Sequence, residues 1–149
     1  MAYKFRKGYY KPNHPEKYFG NVSNIVYRSS WELQFCQFLD NNPNVLKWAS
    51  EEIAIPYLKP TDNKTHKYYP DFWITYQNKQ GDIVQELIEV KPSSQVTHTF
   101  RQSRARNPKT RLVENAIGAI NKAKWFYATK WCQERNITFR ILTEKELFK

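Results

Sequence analysis

The sequence is poor in cysteine, in long apolar runs and in acid. Cys36 and Cys132 are its two cysteines. A small secreted scaffold carries more, and a tetrahedral cysteine zinc site needs closer pairs, so two free thiols in a reducing setting are expected. Both read as small buried hydrophobes. His14, His66 and His98 stand far apart without ligand spacing, which argues against zinc. No apolar run approaches the roughly 18 residues of a membrane span, so an integral membrane protein is not expected. Residues 1–11 are basic and aromatic and lack the apolar segment of a secretory signal. There is no internal repeat and no low-complexity linker.

What is present suffices for a packed core. The chain has 149 residues, 40% of them hydrophobic and 16% aromatic, which fits one domain and excludes a disordered chain. Lysine and arginine number 24 against 14 acids, a formal net charge of +10. The excess is unevenly placed, with balances of +4 over residues 1–20, −3 over 21–90 and +9 over 91–149. Residues 1–20 read as a basic N-terminal arm and 21–149 as a single domain. The densest basic run is Arg101, Arg104, Arg106, Lys109 and Arg111. No acid interrupts it, Asn107-Pro108 breaks it, and it reads as a polar loop that meets phosphate. In the arm, Lys4, Arg6 and Lys7 interleave with Tyr3, Phe5, Tyr9 and Tyr10, a mix that can hold a backbone and stack on bases, or equally a disordered arm that packs its rings on the domain.

Spacing supplies the elements. Ser29-x-x-Glu32 has the form of a capping box, and Trp31, Phe35, Phe38 and Leu39 follow at helical steps, predicting a helix over about 30–41. Ile53, Ile55 and Tyr57 alternate as a strand ending near Pro60. A second strand runs from about Tyr68 to Tyr76, and residues 78–82 form a hairpin turn with Gly81. A third strand, Ile83 to Lys91, stops at Pro92, and Ser93-Ser94 begins a loop. Leu112, Ala116, Ile120, Ala123, Tyr127 and Trp131 predict a helix over about 110–135. Ile137, Phe139 and Ile141 form a fourth strand, and Thr143-x-x-Glu146 caps a short terminal helix. The order α-β-β-β-α-β predicts an α/β fold with a mixed sheet flanked by helices.

One constellation carries chemistry. On the third strand Glu89 and Lys91 share a face, about 6.5–7 Å apart, while Ile88 and Val90 point into the packing layer. A carboxylate and an ammonium on an inner strand are costly unless used or paired. Asp71, behind Pro70 at the head of the preceding strand, comes to lie near Glu89 if Trp73 pairs with Val90 or Glu89. Two carboxylates and a lysine at one sheet end suit a hard cation such as Mg²⁺, which takes one or two carboxylates and completes its shell with water and phosphate oxygens. Glu32 is a third candidate acid. Its capping role competes, because a capping side chain points back at the helix start. Lys122 and Lys124 on the long helix are candidates for reaching the site or a phosphate backbone, with an exposed helix face as the alternative.

Pro70-Asp71, seventeen residues, then Glu89-x-Lys91 resembles the signature of the PD-(D/E)xK nucleases, whose restriction-endonuclease-like core has the element order read above. Tyr27 to Glu32, Ser50 to Tyr57, Asp71-Phe72-Trp73 and Ile137 to Phe148 resemble the head completion nucleases of T-even-type tailed phages. Arg28-Ser29-Ser30-x-Glu32 with Pro70-Asp71-Phe72 also resembles phage junction resolvases and TnsA-like transposon nucleases. The resemblance implies a Mg²⁺- or Mn²⁺-dependent deoxyribonuclease. In that reading Asp71, Glu89 and the Val90 carbonyl hold the metal, Lys91 orients or deprotonates water, and Glu32 completes the acidic cluster. Arg28 joins the basic residues as a DNA contact. The implied partners are DNA and phage head or neck proteins, and the implied setting is the host cytoplasm or the virion. A junction resolvase and a non-catalytic DNA-binding neck or head protein are the alternatives.

Overall fold

The computed structural model describes residues 5–147, with side chains from Lys7 onward. Lys4, the Arg6 side chain and Phe148 therefore lie outside the described residues.

The described residues begin with an antiparallel pair of β1 (Phe5–Tyr9) and β2 (Val26–Ser29). Ser29 ends that pair and starts α1 (Ser30–Asn41), its hydroxyl accepting the Glu32 N–H at 3.2 Å. Residues 10–18 strap the far end of the same helix. Asp40 is fully buried and accepts from Tyr10 Oη at 2.6 Å, Asn13 N at 2.6 Å and His14 N at 2.9 Å. Lys17 Nζ donates to the Leu39, Asp40 and Asn42 carbonyls, which α1 leaves without helical partners. From Phe5 onward, then, the stretch read as an arm pairs with β2 and packs on α1.

The central sheet has the order β3-β6-β7-β8. Its strands are β3 (Val45–Ser50), β6 (Phe72–Gln77), β7 (Ile83–Val90) and β8 (Thr138–Leu142). The first three are antiparallel; β8 runs parallel to β7 after a helical crossover, so the sheet is mixed as expected. The crossover holds α2 (Ser93–Thr99) and α3 (Pro108–Gln133), and α4 (Glu144–Leu147) follows β8. Asn107 caps α3 with Pro108 in its first turn. Between β3 and β6 a separate hairpin, β4 (Ile55–Lys59) and β5 (Lys64–Tyr68), leaves the sheet and packs on α3.

Several expectations change. The strand at residues 53–57 is β4 in the side hairpin, not a strand of the central sheet. The expected strand over 68–76 is two, broken at Tyr69-Pro70-Asp71. The missing sheet strand is β3, whose alternation is spoiled by a register shift between Val45 and Lys47. Trp73 pairs with Leu87 rather than with Val90 or Glu89. Ser93-Ser94 opens α2 rather than a loop, and Ser93 Oγ is hydrogen-bonded to Glu144. Lys109 and Arg111 stand on the first turns of α3, so the basic run is part loop and part helix. The order α-β-β-β-α-β survives as α1-β3-β6-β7-α3-β8.

Pleating sorts the core into two layers. Ile88 and Val90 face α1 and join Trp31, Phe35, Leu39, Trp48 and Phe72. Leu87 faces α3 and joins Trp125, Ala128 and Cys132 with Ile55, Tyr57 and Tyr68 of the side hairpin. Burial of each of these large side chains contributes about 1.5–3 kcal/mol. Both cysteines are free and buried. No helix among the described residues is long and apolar enough to cross a membrane.

Candidate active site

Glu89 follows Leu87 on the α3 side of β7, so the sheet delivers a carboxylate into an otherwise apolar layer. It is 8% exposed. Tyr68 Oη donates to its Oε1 at 2.7 Å, and Lys91 Nζ lies 3.6 Å from its Oε2. Lys91 is held by its own N–H, which donates to the Leu142 carbonyl at 2.9 Å.

Asp71 arrives from the next strand. The pairing of Phe72 with Ile88 puts Asp71 level with Glu89, one residue beyond the end of β6. Its Oδ2 accepts the Val90 N–H at 2.7 Å. Its carbonyl accepts the Glu51 N–H at 3.1 Å. Glu51 adopts a φ of 54°, a left-handed conformation uncommon for a residue with a side chain, where the chain leaves β3.

Glu32 enters from α1. Its Oε2 accepts the Arg28 N–H at 2.8 Å, so it caps, but on the residue before the helix cap rather than on Ser29 itself. Capping does not remove it from the cluster. Burial first, then the Glu51 and Glu89 charges, push its carboxyl up to about 7. Burial, with the charges of Glu89 and Glu32, holds Asp71 well above the ordinary carboxylate range. Burial also raises Glu89, against the opposing pull of Lys91, Tyr68 and Lys124. Three acids, from α1, from the residue before β6 and from β7, therefore disfavour one another's ionisation, a field that a bound cation reverses.

Among the described residues no three His, Cys, Asp or Glu side chains already stand as a complete metal-ligand set. The donors present fit a hard cation that uses one or two carboxylates, a backbone oxygen and solvent. Asp71, Glu89 and the backbone at Val90 are the groups that could supply them.

The cations fall into three groups. Lys124 reaches the site: its ammonium lies 5.9 Å from the Tyr57 ring centre and 5.5 Å from that of Tyr68, and burial lowers its pKa while Glu89 opposes that. Lys122 instead lies over Phe100, 6.0 Å from the ring centre. Arg28 is paired with Glu51 at 2.8 Å on the Glu32 side of the cluster. Arg101, Arg104 and Arg106 lie between α2 and α3, with Lys109 and Arg111 on the next turns, and all five are exposed. A cavity of about 150 Å³ there is lined by His98, Arg101, Ser103, Arg104 and Glu114. Lys7 is exposed on β1.

Two residues at the site escaped sequence reasoning. Tyr68 carried no motif, because its partner lies 21 residues away. Glu51 sits in an acidic pair whose use depends on a backbone turn that spacing does not show.

Residues 42–144 match the family described as TnsA-like endonuclease, N terminal. The chain belongs to that family. Asp71, Glu89 and Lys91 lie inside the matched stretch, whereas Glu32 and α1 precede it. The chain is also similar to the head completion nuclease of Enterobacteria phage T4, at 33% identity over 149 residues covering 99% of this chain and 95% of that protein. The endonuclease family accounts for the restriction-endonuclease-like arrangement of mixed sheet and flanking helices.

Proposed function

We propose that the chain is a divalent-metal-dependent DNA endonuclease that processes packaged DNA ends during phage head completion, acting in the host cytoplasm during infection. The observation that carries this reading is the meeting of Asp71, Glu89 and Lys91 at the end of β6 and β7, inside the stretch that matches an endonuclease family. Similarity to a head completion nuclease along nearly the whole chain supports the biological setting.

Asp71 and Glu89 would hold Mg²⁺ or Mn²⁺ with the Val90 carbonyl. The ion, when bound, polarises a phosphoryl oxygen and makes hydroxide available near neutral pH. Lys91, beside Glu89, orients or deprotonates the attacking water and puts positive charge where the phosphorane gains negative charge. Glu32 contributes charge from the α1 side. Lys124, packed over two rings, adds a second cation without a flexible stem to order. Arg101, Arg104, Arg106, Lys109 and Arg111 form the phosphate footprint, with Lys7, Arg28 and Lys122 as further contacts.

The test is cleavage of duplex DNA with Mg²⁺ or Mn²⁺ by the full chain. Wild-type turnover, abolished by chelation and by either Asp71→Ala or Glu89→Ala, is the expected result. Unchanged cleavage in both variants would place the chemistry elsewhere.

A further inference from the structure

The side hairpin has a specific relation to Glu89, and this inference rests on the nuclease reading above. Tyr68 is the last residue of β5, and Asp71 stands three residues on. Tyr68 Oη holds Glu89 Oε1 at 2.7 Å, while Asp71 Oδ2 holds the Val90 N–H at 2.7 Å. The segment Tyr68 to Asp71 thus grips two consecutive residues of β7, one by its side chain and one by its backbone. Pro70 lies between the two grips, fully buried and with φ fixed by its ring. Tyr68 is itself only 4% exposed, and its ring is packed in the α3-side core, so the phenol has little freedom to move. Lys124 rests over the same ring, and Trp125 packs in the same core layer.

We propose that Tyr68 is a positioning residue for the nuclease reaction: it engages Glu89 Oε1 and so presents Oε2, the oxygen facing Lys91, to the cation and the attacking water. A carboxylate at the end of a strand has rotameric freedom about its last torsion. One donor from a rigid segment removes it. Partners of this kind, which touch a ligand rather than the metal, set ligand orientation, and their loss typically costs about 10–100-fold in metal affinity or activity. The side hairpin thereby acquires a role beyond packing, since it is the element that carries the donor.

Tyr68→Phe removes the donor and keeps the ring that packs against Trp125 and Lys124. The full chain and this variant are compared by Mn²⁺ titration calorimetry, by cleavage kinetics at saturating Mn²⁺ and by thermal melting. The expected result is Mn²⁺ affinity and kcat each lowered by about 10–100-fold, KM for duplex DNA unchanged and a cooperative melt retained. Mn²⁺ affinity and kcat within about twofold of wild type in Tyr68→Phe would overturn the assignment. Asp71→Ala serves as the separate control: if it binds Mn²⁺ as wild type does, the metal-site reading fails, whereas loss of Mn²⁺ in Asp71→Ala with none in Tyr68→Phe sinks the Tyr68 role alone.

Discussion

Asp71 accepts the Val90 N–H at 2.7 Å, and through that bond an acid outside the regular sheet is fixed beside the strand that carries Glu89 and Lys91. Two antiparallel strands alone place their residues opposite one another. This bond adds a direction, because the carboxylate oxygen it uses faces the β7 backbone.

Asp71 and Glu89 repel each other across that junction, so the site is built against stability. Asp71→Asn keeps a group that accepts the Val90 N–H and removes one charge. Cleavage is expected to fall by about 10²-fold or more, while the metal-free protein melts at the same temperature or higher. Plasmid-nicking rates and a melt in chelator check both halves. A variant that melts well below wild type would show that the Asp71 charge stabilises the fold.

The pH dependence of stability has a defined sign. Glu32 is raised from 4.5 to about 7 by burial and by Glu51 and Glu89, and Asp71 and Glu89 move in the same direction. A folded value above the unfolded one means that the native state binds more protons through that window, so stability is present at low pH and lost as pH rises through about 7. The depressed carboxyls of Asp40, Glu144 and Glu146 act at lower pH, where protonation removes what they contribute. Without metal the melting temperature is expected to fall between about pH 5 and pH 8. Mg²⁺ or Mn²⁺ is expected to narrow that fall by neutralising the cluster. A melting temperature that climbs over the same interval in chelator would contradict the burial of ionised acids at this site.

Lys91 and the arginine run contribute charge in different places and separate kinetically. Lys91→Met is expected to lower kcat by about 10²–10³-fold with little change in KM. Arg101→Ala, Arg104→Ala and Arg106→Ala are expected to weaken DNA binding while leaving kcat at saturating DNA unchanged. Each arginine that neutralises a phosphate steepens the slope of log affinity against log salt by about 0.9, so its removal flattens the slope by that amount. Binding isotherms at several salt concentrations measure this. A slope unchanged in all three variants would remove the run from the DNA footprint.

Asp40 is the stability counterpart of the clustered acids Glu32, Asp71 and Glu89. It is buried with three donors from residues 10–14. Burial pushes its carboxyl up, but Tyr10 Oη and the Asn13 and His14 N–H groups together outweigh that and hold it below its ordinary range. Asp40→Ala is expected to cost about 3 kcal/mol or more, because buried donors lose a charged acceptor. Urea unfolding of this variant, set beside Asp71→Asn, distinguishes an acid that holds the fold from one that strains it.

Local chemistry was legible where it acts over a few residues. Ser29 and Glu32 mark the start of α1 because a cap spans one turn. Residues 78–82 mark the hairpin because Asn78 satisfies the turn amides itself and Gly81 takes a positive φ. That Asp71, Glu89 and Lys91 lie together was legible because strand alternation and one hairpin suffice to bring them near, although the pairing register differs from the expected one. What the sequence could not show was set over longer range. β3 is hidden by its register shift, and the Ile55–Tyr68 hairpin alternates like a sheet strand although it packs on α3 instead. Pairing register followed from hydrogen bonds along β6 and β7, which no spacing rule specifies to the residue. Tyr68, Glu51 and Lys124 meet the cluster from three separate elements. Residue types and short-range order thus came from the chain itself. Which carboxylates share a field, and which donor holds each one, only packing decided, because burial and charge proximity arise when distant segments exclude water together.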